Sequence, residues 1–253
     1  MQVPIRGDSK TPPTLRLLTF PKLRRVFRVF RPARGYHGRV MSVTFNSSQT
    51  NRLLKRVRDR DQEAFGDLFA RHRERLRKLV RLRMDRRLRG RITSSAVLEQ
   101  VAADAGRRLG EYLVDPSQSV FLWLRRLTGE RLAALHQHHL GGQSWDAGQE
   151  LSLYRGAMPL VHSGSLAAQL LGDRAANQSA IRADLLLRLQ DALNSMDSFD
   201  REILALCHFE ELTDEETAAV LGIEKIAATN YYVTALKRLK EILKSIPGFF
   251  EKH

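Results

Sequence analysis

The stretch Leu212–Leu243, LTDEETAAVLGIEKIAATNYYVTALKRLKEIL, decides the fold. Its spacing predicts two helices joined by a tight turn. Thr213 is a strong N-cap, and Glu216 three residues on completes the pattern of a capping box. The short helix that follows carries Thr217, Ala218, Val220 and Leu221. Ala218 is small enough to let a second helix approach. Gly222 can take the left-handed conformation that a Cβ resists. The second helix runs from about Glu224 to Leu243, with Ala228, Tyr232, Leu236, Leu239 and Leu243 spaced as a buried stripe requires. Lys225, Ile226, Thr229, Asn230 and Val233 then fall on its outer face, which in a helix-turn-helix enters the major groove. Two amphipathic helices around a glycine also occur in helical bundles that bind no DNA. The coincidence of capping box, small residue and glycine favours the DNA-binding reading.

Outward from this stretch, periodicity is helical almost throughout the 253 residues, and no alternating strand is evident. The expected class is all-α, with two helical domains joined by a flexible linker. The boundaries read as a basic, disordered extension over 1–48, a bundle over 49–141, a linker over 142–180, the helix-turn-helix domain over 181–246 and a tail over 247–253. Residues 1–40 are rich in Pro and Arg, and LRRVFRVF between the prolines is suited to a short basic helix against nucleic acid or an anionic membrane face. Met41 is an alternative start. No apolar run approaches the roughly 18 residues of a membrane span, so no stable membrane insertion is expected. The single Cys207 cannot form an internal disulfide and reads as a buried apolar residue of a cytoplasmic protein.

The net charge of +14 is unevenly spread. Residues 1–40 hold ten Lys or Arg against one acid, and residues 41–141 hold 21 against 11. Residues 180–244 reverse the sign, with eight basic and twelve acidic side chains. A basic first half followed by an acidic helical module points to an acidic partner for the first half, such as nucleic acid.

Within the bundle, Asp61 caps a helix whose apolar side carries Ala64, Phe65, Leu68, Phe69, Leu76, Leu79, Val80 and Leu82. Its remaining surface is Arg and Lys, from Arg71 to Arg83, read as a solvated face suited to polyphosphate. A third helix begins at Thr93 or Ser94. After the polar loop VDPSQSV, a fourth helix, FLWLRRLTGERLAALHQHHL, runs to Gly141–Gly142. Trp123 reads as a packing residue. Of His136, His138 and His139, only His136 and His139 share a face, and no third ligand is indicated, so no metal site is predicted. No phosphate-binding Gly-rich loop, HExxH motif or nucleophile–base set points to an enzyme, and no cofactor is expected.

The helical bundle, polar loop, FLWLRRLT helix, linker and terminal LQDALNSMDSFDREILALCHFEELTDEETAAVLGI together resemble a bacterial RNA polymerase sigma factor of the extracytoplasmic-function type. The linker text WDAGQELSLYRGAMPLVHSGSLAAQLLG is similar to the planctomycete-like group. The resemblance spans about residues 50–244. It implies that the first domain docks on RNA polymerase core and holds the melted −10 strand, and that the second reads the −35 element of promoter DNA. An anti-sigma factor is an implied further partner. On that basis the −35 contacts are Lys225, Ile226, Thr229, Asn230, Tyr231 and Lys237. The base-capturing loop is Leu113–Val120. The −10 set is Gln118, Ser119, Arg125, Arg126, Arg131 and His136, expected on or near the surface.

Two departures stand out. The family's docking helix carries roughly Asp-x-x-Asp-x-x-Gln-Glu. Here Thr93 and Ala96 are neutral, and Glu99-Gln100 reverses the final pair. Basic residues usual near 230, 231 and 234 are Asn230, Tyr231 and Thr234. A degenerate paralogue acting through protein contacts, or a stand-alone helix-turn-helix repressor, are the alternative readings.

Overall fold

The computed structural model describes residues 47–140, 158–171 and 179–246. All of the proposed extension but Ser47 and Ser48, the Gly141–Gly142 stop, much of the linker and the tail lie outside them. The described residues are helical, and no strand occurs among them. In chain order they form α1 (Ser48–Arg58), α2 (Gln62–Arg83), a 3-10 turn (Arg86–Leu88), α3 (Ser94–Val114) and α4 (Val120–Leu140). Then come α5 (Ser163–Leu171), α6 (Ser179–Asn194), α7 (Ser198–Leu204), a π-type turn (Ala205–Phe209), α8 (Asp214–Leu221) and α9 (Lys225–Ser245).

Local chemistry sets the helix starts. Ser47 caps α1, and Asp61 caps α2 by accepting from the Glu63 and Ala64 amides. Thr93 accepts from the Ala96 amide at the start of α3. These bonds satisfy amides that an unaided first turn leaves open.

α1 to α4 bury Leu68, Leu76, Leu79, Leu98, Leu124 and Leu132 in one cluster. Each such leucine stabilises the fold by roughly 1.5–3 kcal/mol relative to exposure. Trp123 packs there as expected, stacked on Tyr112 with ring centroids 4.6 Å apart. A second cluster joins α5, α6, α7 and α9 through Leu166, Leu189, Leu193, Ile203 and Leu239. The two interlock: Leu82 of α2 belongs to the second, and Leu206, Leu212 and Met158 belong to the first.

Three expectations change. Residues 163–171, placed by the sequence in a flexible linker, form α5, whose Leu166, Ala167, Leu170 and Leu171 are buried. Gly164 allows the close approach, since a Cβ there would stand 2.8 Å from the Gln190 side-chain oxygen on α6. The buried stripe of α9 runs through Ala235, while Leu236 is half-buried. The Arg/Lys side of α2 is not uniformly solvated: Arg83 is fully buried.

Candidate nucleic-acid interface

The helix-turn-helix is built as its residues require. The Thr213 hydroxyl accepts from the Glu216 amide at 3.1 Å, and the Glu216 carboxylate accepts from the Thr213 amide at 3.1 Å. Gly222 lies at φ 66°, and Ala218 O accepts from the Ile223 amide at 3.1 Å. Ala218, Ala228 and Tyr232 are buried between the helices and what lies beneath.

This arrangement leaves Ile226 75% exposed and Tyr231 46% exposed. Lys225, Asn230 and Lys237 are also exposed, and Thr229 is half-buried. Tyr231 lies edge-on to Phe199, centroids 5.1 Å apart. The face is tied to α8. Lys225 is ion-paired with Glu215, and Thr229 Oγ1 donates to Asp214 at 2.9 Å. The Glu215 hydrogen bond raises the Lys225 pKa, so this cation stays charged but is partly neutralised by its neighbour.

The second element is a cavity of about 470 Å³ between α1 and the loop before α4. Asn51, Leu54 and Arg58 form one wall, and Pro116, Ser117, Gln118 and Ser119 the other. The loop is held from within. Tyr112 OH donates to Gln118 O at 2.9 Å, and Ser119 Oγ accepts from the Leu122 amide at 3.2 Å. Ser119 is thereby buried, and its hydroxyl serves the start of α4. Gln118 and Ser119, expected in the −10 set, line this wall, while Asn51, Leu54 and Arg58 opposite them are not marked by the sequence. Their distance along the chain gives no local signal.

Arg126 and Arg131 lie on α4 beside α3. Arg131 Nε donates to Gln100 at 2.7 Å, and Arg126 faces Glu130, which also accepts from Arg108 at 2.8 Å. Thr93, Ala96, Glu99 and Gln100 are half-buried or exposed along α3. The residues assigned to docking and to the −10 strand therefore touch one another across this helix pair.

The expected surface positions of Arg125 and His136 are not met. His136 is 3% exposed, and its Nε2 accepts from the Asp85 amide at 3.1 Å. Burial pulls its pKa down to about 4, so it is a neutral acceptor at pH 7. Arg125 is 5% exposed and donates to Glu210 at 2.7 Å. A polar residue in an amphipathic helix defaults to solvent in a sequence reading. These two have partners far along the chain, Glu210 for Arg125 and the Asp85 amide for His136.

Those partners define a third element, a charged seam between the bundle and the helix-turn-helix module. Arg83 Nε donates to Glu210 Oε1 at 2.6 Å, and Arg83 Nη1 donates to Pro159 O at 2.7 Å. Its remaining nitrogen donates to Glu202, whose other oxygen accepts from the Val161 amide at 3.4 Å. Burial opposes the charge on Arg83, but Glu202 and Glu210 outweigh it and hold the guanidinium pKa above its usual value. Burial likewise opposes ionisation of Glu210. Arg125 and Arg83 prevail and lower its pKa. Nearer the surface, Arg75 donates to Glu210 O at 2.7 Å and Glu211 O at 2.6 Å, with its guanidinium 3.5 Å from the Phe121 ring centroid. Lys78 pairs with Glu211 at 2.7 Å.

Among the described residues, no group of three or more His, Cys, Asp or Glu could hold a metal ion. No helix there is long and apolar enough to cross a membrane. No family model and no curated protein matches the chain. Among solved structures, it is similar to that of CnrH in complex with the cytosolic domain of CnrY. The identity is 20% and the TM-score 0.47, and the match covers 78% of this chain and 97% of that one.

Proposed function

We propose that the chain is a sigma-type transcription initiation factor of the extracytoplasmic-function kind, which brings RNA polymerase core to promoter DNA. The observation that supports this reading is the pairing, in one chain, of two separate elements whose chemistry suits nucleic acid. One is a helix-turn-helix presenting Ile226, Asn230 and Tyr231 to solvent. The other is a polar-walled cavity on a basic bundle. A cavity walled by Asn51, Gln118 and Ser117 has hydrogen-bonding groups and room for an extruded base. The exposed Asn230 is suited to adenine, and Lys225 to a phosphate or guanine. On this reading α3 and α4 meet the polymerase, and a cytoplasmic anti-sigma factor is the regulatory partner. The chain performs no catalysis of its own.

A second reading, a paralogue that acts through protein contacts, is favoured by one observation. The Thr93 hydroxyl is occupied as the α3 cap, where the family's docking helix offers an acid. Binding of the full chain to core polymerase at moderate salt separates the two. Tight binding supports the initiation factor, and its absence from a folded chain supports the paralogue. With binding in hand, Asn230→Ala should lower affinity for a −35-like duplex by about 1–3 kcal/mol while leaving core binding unchanged. Equal promoter use by both proteins would count against the assignment.

A further inference from the structure

Four large apolar side chains stand exposed among the described residues, and two of them, Ile226 and Tyr231, lie on α9. Tyr231 is propped edge-on against Phe199. Ile226 is 75% exposed and belongs to neither core cluster. A single exposed apolar side chain is ordinary on a protein surface, so only its surroundings give it meaning. Neither folding nor helix propensity calls for isoleucine here. It adds nothing to the core, and its branched Cβ makes it a poorer helix former than Ala, Lys or Glu.

The polar groups around it are already committed. Lys225 is paired with Glu215, and the Thr229 hydroxyl donates to Asp214 and to the Lys225 carbonyl. Glu224, exposed at the helix start, adds a charge that repels phosphate. The first turns of α9 therefore offer little electrostatic grip on a DNA backbone. What they offer is one bare aliphatic side chain and, four residues on and on the same side of the helix, the exposed amide of Asn230.

We infer that Ile226 reads the 5-methyl group of thymine in the major groove. The inference rests on the sigma-type reading above and deepens it by naming what the α9 face selects. In that groove the methyl is the apolar group that a base pair displays, and the other features are hydrogen-bond donors and acceptors. An aliphatic side chain set against any of those leaves it desolvated and unpaired. Ile226 therefore selects both by attraction to thymine and by exclusion of the polar edges. Asn230, matched to adenine, lies roughly 6 Å away along the helix. That is within two base steps of about 3.4 Å each. The expected target is an adenine with a thymine one or two steps from it, read with few phosphate contacts.

The test uses the full chain with core polymerase and a random duplex library. The pool that the wild-type chain enriches is copied twice, once with thymine and once with deoxyuridine, which lacks only the methyl. The wild-type chain should bind the deoxyuridine copy about fourfold more weakly for each methyl that Ile226 covers. Ile226→Ala, which leaves the core untouched, should bind the thymine copy more weakly and lose its preference between the copies. Ile226→Val, still branched and apolar, should keep most of that preference. Comparing the two proteins on the two copies removes any thymine read elsewhere in the complex. An equal drop in the wild type and Ile226→Ala, or no drop in either, overturns the thymine assignment and leaves the sigma-type reading intact. Failure of the folded chain with core polymerase to enrich any sequence overturns that reading, and the thymine assignment with it.

Discussion

The basic bundle and the acidic helix-turn-helix module invite opposite conclusions from charge alone. Residues 41–141 look built for phosphate, and residues 180–244 look built to repel it. The structure shows how misleading that contrast is. Arg75, Lys78, Arg83 and Arg125 of the first are spent on Glu202, Glu210, Glu211 and Glu216 of the second. Four of the module's twelve acidic residues pair with the bundle. Of the acid that remains near the exposed face of α9, Asp214 and Glu215 tie down Thr229 and Lys225, while Glu224 stays exposed at the helix start. Net charge describes the chain, whereas partners meet only what the fold leaves uncovered.

Neighbouring glutamates give the strongest way to break this comparison. Glu210→Ala leaves Arg83 and Arg125 buried without their shared anion and should cost about 3–5 kcal/mol. Glu211→Ala removes an exposed partner of Lys78 and should cost at most about 1 kcal/mol. Urea denaturation of the two variants checks this. Equal losses would mean that the seam does not hold the modules together.

Acid should act next, and on the bundle. Burial lowers His136 from 6.5 to about 4, and His72 likewise to about 4. Both are neutral when folded and bind protons more readily when unfolded. Their contribution is complete above pH 6.5 and is lost as pH falls from there toward 4. At pH 5 this amounts to about 2 kcal/mol per histidine. Thermal melts between pH 7.5 and 5 should show it, and His136→Asn should flatten the slope.

Backbone handedness gives the smallest effect, and it belongs to the module. Gly222→Ala meets no atom within 4 Å, so its cost is the left-handed conformation itself, about 1–2 kcal/mol. The expected signature is lower helix-turn-helix stability with the bundle unaffected, read by hydrogen exchange.

The comparison also sorts what the sequence could tell. Asp61, Thr93 and Thr213 announce their caps because each acts within three residues. Gly222 is legible for the same reason. Arg83 is not. Nothing near it marks it for burial, since its carboxylate partners lie 119 and 127 residues away. Arg125 and His136 were assigned to solvent by the same blindness to distant partners. The α5 helix was hidden differently. Its short apolar run, SGSLAAQLL, has no cap or charge pattern to separate it from a linker. Of the cavity, the loop wall followed from the resemblance, while the α1 wall required the folded chain.

The Arg83 node has a consequence for how this sequence can change. Its partners share a single guanidinium, so the effects of substitutions at 83, 202 and 210 cannot be additive. Losing any one unbalances the buried charges, and because Glu210 also pairs with buried Arg125, only replacing all four with apolar residues of similar volume restores balance. Descendants of this chain should therefore keep Arg83, Arg125, Glu202 and Glu210 or exchange them as a block. Drift at one member alone should be the rarest outcome.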